Sequence, residues 1–531
     1  MKIVTASEMR QLDEKTINSI GVSSLVLMEN AGRGVAETIR DFYPLKDFKG
    51  FVLVLAGRGN NGGDGFVIAR WLKEMGYPVK VLLIGEGSTL KGDAKVNWQL
   101  LPLWGVDAKE LTEKNFYELL SKELAHSSLV VDALLGTGLQ GGAKGVMKEV
   151  ISLVTGANKP VIAVDVPSGL DSTTGEVKGP CIKATITVTM GCPKLGMFLV
   201  PGMDYIGKLK VVPIGIPPSL LEEIPREMIL PGKLTSIIPH TPVYAHKRLN
   251  GRLLLVAGSR GMSGAAMLSA LGALPTGVGL LKIAIPNTSL PGIETVLKDA
   301  VKYPLPETDT GGGISSQAVE VLLQGGALEV EALAIGPGLG RHPDTIKFTL
   351  NLISRFTLPM VIDADALFAL STEIGVLKHI SNSSVILTPH PGELGYLISK
   401  PAEEVIKDPL GSLNLLREKI PSSVIIILKG ACSIVSVEEK IYISPFRNPA
   451  LGKGGSGDVL TGIIGGLLAR GISPLGAALL GITLHGICGE LGAERKGMGL
   501  IASDLPEFLP KAIKCLTDYN VNTLPLIHWL L

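Results

Sequence analysis

Apolar runs that end in glycine-bounded polar loops recur along this chain, and each loop opens into a new element. Gly50–Ala56 (GFVLVLA) is a continuous apolar run of buried-strand type. It is followed by GRGNNGGDG at 57–65 and by the helical stretch FVIARWLKEMG, and a second apolar run, Val79–Ile84, completes a βαβ unit. LVVDALL at 129–135 leads into Gly136-Thr137-Gly138-Leu139-Gln140-Gly141, and VIAVDV at 161–166 leads into Pro167-Ser168-Gly169-Leu170-Asp171. Farther on, Arg252–Ala257, Leu333–Gly340, Met360–Asp365, Val385–Leu394 and Val424–Cys432 repeat the theme. Such alternation predicts α/β architecture with parallel sheets, whose ligand sites lie at the carboxyl ends of strands.

The chain has 531 residues, too many for one ordinary domain. The Pro- and charge-rich stretch 217–233 (PPSLLEEIPREMILPGK) reads as the boundary, giving domains 1–220 and 221–531. The two halves share no internal repeat and read as different folds fused. Lys and Arg number 50 against 49 Asp and Glu, which argues against a nucleic-acid partner. The cysteines, Cys181, Cys192, Cys432, Cys488 and Cys515, are odd in number and without a CxxC pair. They indicate neither a disulfide framework nor a zinc site, and a reducing cytoplasm is the expected location. MKIVTASEMRQLDEKT has no apolar core of signal-peptide type. The apolar region Val459–Gly489 is broken by Arg470, Pro474 and His485, so it reads as two buried helices and no membrane span. Residues 7–19 and 23–41 carry helical spacing, with Ser7 as the expected N-cap.

Some loops carry more chemistry than a turn requires. In NPALGKGGSGDVLTG at 448–462, glycines allow backbone N–H groups to close on an anion, and the following helix adds positive dipole character. Asp458 falls in the first turn of that helix, where it serves either as a cap or as a base taking a proton from a hydroxyl that attacks phosphorus. Lys429 follows a run of apolar residues, an unusual place for a charge unless it meets a phosphate or a carboxylate. His390 stands between two prolines near a strand end. In the first half, Gly57, Gly59 and Gly62 satisfy G-x-G-x-x-G, and Glu86 stands where a ribose-binding acid belongs, so a plain dinucleotide site is one reading. NNGGDG is more specific, because two amides and a carboxylate offer donors and oxygen ligands together. Asn61, Asp132, Asp165 and Ser168 all fall at strand ends and are expected to face one crevice. Their hard oxygens suit an alkali or alkaline-earth cation. Walker-A and HExxH motifs are absent from the sequence.

The loop GSGD at 455–458 resembles the GxGD anion hole of the ribokinase-like superfamily. The C-terminal half resembles the nucleotide-dependent NAD(P)H-hydrate dehydratases, and the N-terminal half, through NNGGDG, resembles the NAD(P)H-hydrate epimerases. Together they cover nearly the whole chain and are similar to the bifunctional NAD(P)H-hydrate repair family. The resemblance implies a Rossmann-like three-layer domain followed by a ribokinase-like three-layer α/β/α domain. It implies that R and S hydrates of NADH and NADPH are interconverted by the first, and that the second dehydrates the S form with ADP as phosphoryl donor. It further implies that Asn61, Asp132 and Ser168 hold a potassium ion and that Asp165 contacts the hydrated nicotinamide. Asn60, Asn61, Gly62, Gly63 and Asp64, with Gly136, Thr137, Gly138, Leu139, Gln140 and Gly141, would bind the epimerase substrate. Lys194 fits the lysine of the family's closing motif. Gly264, Ala265, Gly338, His390 and Asp458 would bind the dehydratase substrate. Lys429, Gly430, Ala431, Cys432 and Ser433, with Gly457, would line the adenine nucleotide, and N–H groups of 454–457 would hold the transferring phosphate. Glu393 would act through a magnesium-bound water. Pro275 departs from the family pattern, which runs this helix on into an arginine. A homo-oligomer without nucleic-acid or membrane partners is the expected assembly. Two rival readings are a ribokinase-type small-alcohol kinase with a regulatory nucleotide-binding N-terminal domain, and a metabolite-sensing module without turnover.

Overall fold

The structure is a computed structural model that describes residues 1–139, 141–239, 241–244, 246–380 and 385–518. The chain divides into two compact units between Arg226 and Glu227.

The first unit is built on seven strands: β1 (Phe51–Ala56), β2 (Val79–Ile84), β3 (Asp107–Leu111), β4 (Ser127–Ala133), β5 (Val161–Val164), β6 (Ile186–Met190) and β7 (Lys208–Val212). Their order is β3-β2-β1-β4-β5-β6-β7, and every pairing is parallel. The chain moves outward from β1 to β3 and then returns to the other side of β1, so the topological switch lies between β1 and β4. Side chains alternate across the sheet. Val52, Val54 and Ala56 join one core with Val81 and Leu83, while Leu53 and Leu55 join a second core with Leu82 and Ile84. Two buried faces explain why these strands read as unbroken apolar runs, and they give the three-layer α/β arrangement.

Two local expectations shift. The first helix, Ala6–Asn18, is capped by Thr5 and not by Ser7: Thr5 accepts from the Glu8 N–H, and the Glu8 carboxylate accepts from the Thr5 N–H in return. The NNGGD residues are not a turn before a helix. They form the first turn of the helix Asn60–Glu74 itself. This turn folds tightly against the end of β1, since a Cβ on Gly62 would stand 1.9 Å from the Gly57 carbonyl oxygen. Close backbone packing therefore accounts for two glycines of the G-x-G-x-x-G pattern.

The second unit carries a ten-stranded sheet. Its strands are β8 (Arg226–Met228), β9 (Arg252–Val256), β10 (Leu280–Pro286), β11 (Ala300–Leu305), β12 (Ala332–Ile335), β13 (Met360–Ile362), β14 (Val385–Leu387), β15 (Ile425–Leu428), β16 (Ile434–Val437) and β17 (Lys440–Ile443). The order is β11-β10-β9-β12-β13-β14-β15-β16-β17-β8. Strands β9 to β15 pair in parallel, and β15-β16-β17 is an antiparallel ribbon. Here the switch lies between β9 and β12. The helix Ser456–Ala469 lies on the sheet beside the helix Ser263–Ala273. A Cβ on Gly462 would come within 1.9 Å of the Ser269 carbonyl oxygen, so the two backbones touch. The Ser263–Ala273 helix ends before Pro275, which instead sits in the 3-10 turn Leu274–Thr276, closed by left-handed Gly277. The helix Pro474–Lys496 belongs to a stretch long and apolar enough to cross a membrane, but 78 % of that apolar window is buried inside the fold. The cysteines are free thiols.

Candidate active sites

A cavity of about 660 Å³ opens at the β1/β4 switch of the first unit. Asn60, Asn61, Asp64, Gly136, Thr137, Gly138, Leu139, Asp165 and Lys194 line it. Four separate loops thus converge, but Asp132 and Ser168, expected to face the same crevice, are buried behind it and do not line the cavity. Gln140 falls outside the described residues, and Gly62, Gly63 and Gly141 do not line the cavity. Glu86, the ribose acid of the plain dinucleotide reading, does not line it either.

Asp165 ends β5 in a left-handed conformation, φ 65°, which a non-glycine residue adopts at a cost. The local network fixes it there. Its N–H donates to the Val188 carbonyl at 2.8 Å, and its Oδ1 accepts from Thr189 Oγ1 at 3.0 Å and from the Met190 N–H at 3.2 Å. The Lys194 ammonium is ion-paired to the same oxygen and also donates to Thr189 Oγ1 and the Met190 carbonyl, both at 3.0 Å. Lys194 is fully buried. Burial pushes the neighbouring Asp64 carboxyl well above its usual range; Asp165 and Asp13 push it further, and Lys194 opposes them.

Asp132 and Ser168 are fully buried. Ser168 donates through Oγ to Asp132 Oδ1 at 2.6 Å and through its N–H to Oδ2 at 2.8 Å. Burial nevertheless pushes the Asp132 carboxyl up to about 6, since neutral donors only partly offset it. Asn61 Nδ2 is buried without a hydrogen-bond partner. A side-chain amide turned over in place would put its oxygen there. A buried carboxylate lacking a cation, a hydroxyl and an orphaned amide are the oxygen-bearing groups a hard cation asks for. The residues present fit a hard cation.

In the second unit Lys429 at the end of β15 and Asp363 at the end of β13 meet the first turns of Ser456–Ala469, and the loops after β9 and β12 pack on the neighbouring helix Ser263–Ala273. Gly455, φ 90°, is the N-cap, so Asp458 lies inside the first turn and makes no cap hydrogen bond. The capping alternative for Asp458 is thereby removed. Lys429 reaches across from the end of β15: its ammonium donates to Asp363 Oδ1 at 2.6 Å and lies 3.7 Å from Glu393 Oε2. A Cβ on Gly457 would be 3.2 Å from that ammonium. The Lys429 N–H bonds the Pro389 carbonyl at 2.8 Å, which draws the TPHPGE segment into the same place. His390 caps the helix Pro391–Ile398: its Nδ1 accepts from the Gly392 N–H and its ring stays largely exposed. Gly338, φ 63°, packs against the start of Ser263–Ala273; a Cβ there would stand 3.0 Å from Ala265 Cβ. A Cβ on Gly455 would meet Leu268 of that helix at 2.5 Å. Gly430 and Ala431 are exposed, whereas Cys432 is buried and burial pushes its thiol up to about 12, leaving backbone as what this stretch presents.

Charge is concentrated here. Burial, then Asp363, pushes Asp458 up to about 7 against the opposing pull of Lys429. Burial also raises Glu393. Burial would lower Lys429, but Asp363 and Glu393 outweigh it and raise it. Sequence reading passed over three residues of this cluster. Asp363 is 1 % exposed and joins Lys429 to Thr461 Oγ1, which donates to its Oδ2 at 2.6 Å. His485, half-buried and pushed down to about 4 by desolvation, bonds the Ser456 carbonyl at 3.0 Å through Nε2. A charge closing an apolar strand was the signal that singled out Lys429, and MVIDAD carries the same signal for Asp363. Among the described residues, no group of three or more His, Cys, Asp or Glu side chains forms a metal site.

A switch-point cavity holding a lysine–carboxylate pair, and a glycine-lined helix N-terminus holding an aspartate poised near neutrality, define a two-site α/β enzyme. Residues 24–196 match the family described as YjeF-related protein N-terminus, and residues 253–511 match NAD(P)H-hydrate dehydratase. Over 527 residues the chain is 39 % identical to the bifunctional NAD(P)H-hydrate repair enzyme Nnr of Moorella thermoacetica, covering 98 % of each. It is 34 % identical to the enzyme of the same name from Thermofilum pendens, over 99 % of this chain and 100 % of that one. The crystal structure of the ADP/ATP-dependent NAD(P)H-hydrate dehydratase from Bacillus subtilis, co-crystallised with ATP/Mg2+, is 29 % identical and covers 55 % of this chain and 98 % of its own, with a TM-score of 0.47. The chain belongs to the family of bifunctional NAD(P)H-hydrate repair enzymes.

Proposed function

We propose that this chain repairs hydrated nicotinamide cofactors, epimerising the R and S hydrates of NADH and NADPH in its first unit and dehydrating the S hydrate in its second. The observation that carries the reading is the meeting of Asp458, Lys429 and the Gly454–Gly457 backbone at one helix N-terminus. Hydroxide is a poor leaving group at neutral pH, so the 6-hydroxyl is first phosphorylated. Asp458 takes the hydroxyl proton as oxygen attacks the terminal phosphoryl group of ADP, releasing AMP. A carboxyl pushed up to about 7 suits that transfer. The glycine N–H groups and Lys429 steady the phosphoryl oxygens. Loss of phosphate together with a C5 proton then restores the dihydronicotinamide. Gly264, Ala265, Gly338 and His390 hold the hydrate, and Gly430 to Ser433 hold the nucleotide through backbone. Glu393 would hold, through water, the magnesium ion that accompanies the nucleotide phosphates, where the ion would offset phosphate charge.

In the first unit Asp165 faces the hydrated ring, with Lys194 holding its carboxylate in place. Potassium would be held by Asn61, Asp132 and Ser168, where it supplies the positive charge that the buried Asp132 lacks. The free thiols suit a reducing compartment such as the cytoplasm.

The test is hydrated NADH with ADP, ATP or neither, followed by reduced-nicotinamide absorbance and phosphate release. Restored absorbance with stoichiometric phosphate is expected, with ADP preferred. A stable phosphorylated product would instead establish the small-alcohol kinase, and binding without turnover the sensing module.

A further inference from the structure

We propose that Asp13 is a second acid–base group of the epimerisation site, protonating the departing 6-hydroxyl of the hydrate and recovering the proton afterwards. The proposal rests on the epimerase reading of the first unit and adds to it a residue from the N-terminal helix.

That helix, Ala6–Asn18, is amphipathic in an unusual way. Leu12 and Thr16 are buried in the core, while Met9, Asp13 and Ile17, spaced by four residues, line the cavity. Its start is tied beside Lys194 by backbone: the Val4 N–H donates to the Pro193 carbonyl at 3.0 Å, and the Leu195 N–H donates to the Val4 carbonyl at 2.8 Å. Asp13 Oδ1 is buried, yet no hydrogen bond reaches it among the described residues. A structural aspartate at such depth is ordinarily paired. The charged groups facing it are Glu14 of its own helix, Asp64, Asp165 and Lys194; Arg10 and Arg58 line the same cavity from exposed positions. The single buried ammonium, Lys194, is taken by Asp165. Asp13 and Asp64 therefore compete for protons, and burial pushes Asp13 up to about 6.

The chemistry at C6 needs such a group. The carboxyl gives its proton to the 6-oxygen as the C6–O bond breaks with its electron pair moving to oxygen. The lone pair of the ring nitrogen forms the C6–N double bond, and water departs. Water then adds to the opposite face of C6, the C6–N π pair returns to nitrogen, and the proton released goes back to the carboxylate. Nothing is oxidised, and no other reactant is consumed.

The experiment uses the full chain with isolated R hydrate of NADH, no nucleotide, and rates from pH 5 to 9. The parent chain must epimerise, and its kcat must fall as pH rises and the acid is lost; failure to epimerise would sink the epimerase reading itself, apart from any question about Asp13. Asp13→Asn is expected to lose about 10²-fold in kcat with KM nearly unchanged and to lack the alkaline limb. Asp13→Glu is expected to regain activity with that limb displaced. A folded Asp13→Asn variant with parental kcat, a loss confined to KM, or a loss that keeps the parental limb would each overturn the proposal. Should Asp13→Asn melt early, Asp13→Glu decides: an active variant with an undisplaced limb overturns the assignment.

Discussion

Asp458 is a carboxylate that the fold holds in the wrong place for its own stability. Burial and Asp363 lift it from 3.8 to about 7, so the folded chain keeps a proton that the unfolded chain has already lost between those values. Its contribution to stability is therefore largest at low pH and falls as pH rises from about 4 to about 7. Catalysis runs the other way, because a base must be ionised, and dehydration should rise with pH through the same upper value. Asp458→Asn removes both effects. The variant is expected to lose nearly all nucleotide-dependent dehydration, keep epimerisation of R hydrate, and melt higher than the parent by a margin that is small at pH 5 and largest at pH 8, with a gain of at most about 4 kcal/mol. Thermal unfolding at the two pH values and the two separate assays check it. Lys429→Ala is harsher. It strands Asp363 and Glu393 as buried carboxyls without their cation, so about 3–5 kcal/mol of stability should go with nucleotide affinity, while hydrate affinity changes less. Calorimetric titration with ADP showing parental affinity would refute its role at the phosphates. Lys429 was legible in sequence as a misplaced charge, but its carboxylate partner was not, because Asp363 lies 66 residues away along the chain.

Elements tell a similar story at longer range. Strands were legible because both sheet faces are covered, and a strand buried on both faces can contain little but apolar residues. Helix starts were less so: Thr5 rather than Ser7 caps the first helix because only Thr5 has Glu8 three residues on to return the bond. The start of Asn60–Glu74 was hidden because Gly-Gly-Asp reads as turn chemistry, while tertiary contact with β1 overrides that propensity. In the Ser456–Ala469 helix, Gly462 is where the helix meets Ser269 at backbone distance. Gly462→Ala forces the pair apart. We expect about 1–3 kcal/mol of destabilisation, with the dehydratase activity lost at a lower temperature than the epimerase activity. Identical inactivation temperatures for both would show that the contact yields without cost.

For the whole molecule, the central consequence is that two chemistries with separate constellations serve one pool of substrate, since only the S hydrate is consumed and the R hydrate must be converted first. Asp165→Asn tests this. The backbone at 165 is left-handed, and Asn tolerates that conformation better than most residues, so the turn should persist. What changes is charge. Lys194, fully buried, would keep only neutral acceptors, namely Thr189, the Met190 carbonyl and the new amide oxygen, and about 3–5 kcal/mol of stability should go with the lost carboxylate charge. The double variant Asp165→Asn with Lys194→Met removes the stranded ammonium and should recover much of that stability without recovering epimerisation. Inverting a carbon that bears nitrogen and hydroxyl requires either proton movement or the steadying of a transient cationic ring. A carboxylate serves both, and an amide of the same shape serves neither. On an R/S mixture with excess ADP, the parent chain should run to completion. The single variant and the double variant should consume the S fraction at the parental rate and then stall at the rate of spontaneous epimerisation. Adding catalytic amounts of the Asp458→Asn chain, whose first unit is untouched, should release the stall, because the hydrates exchange freely through solution. A single fast phase to completion in either Asp165 variant would mean that another residue carries the inversion.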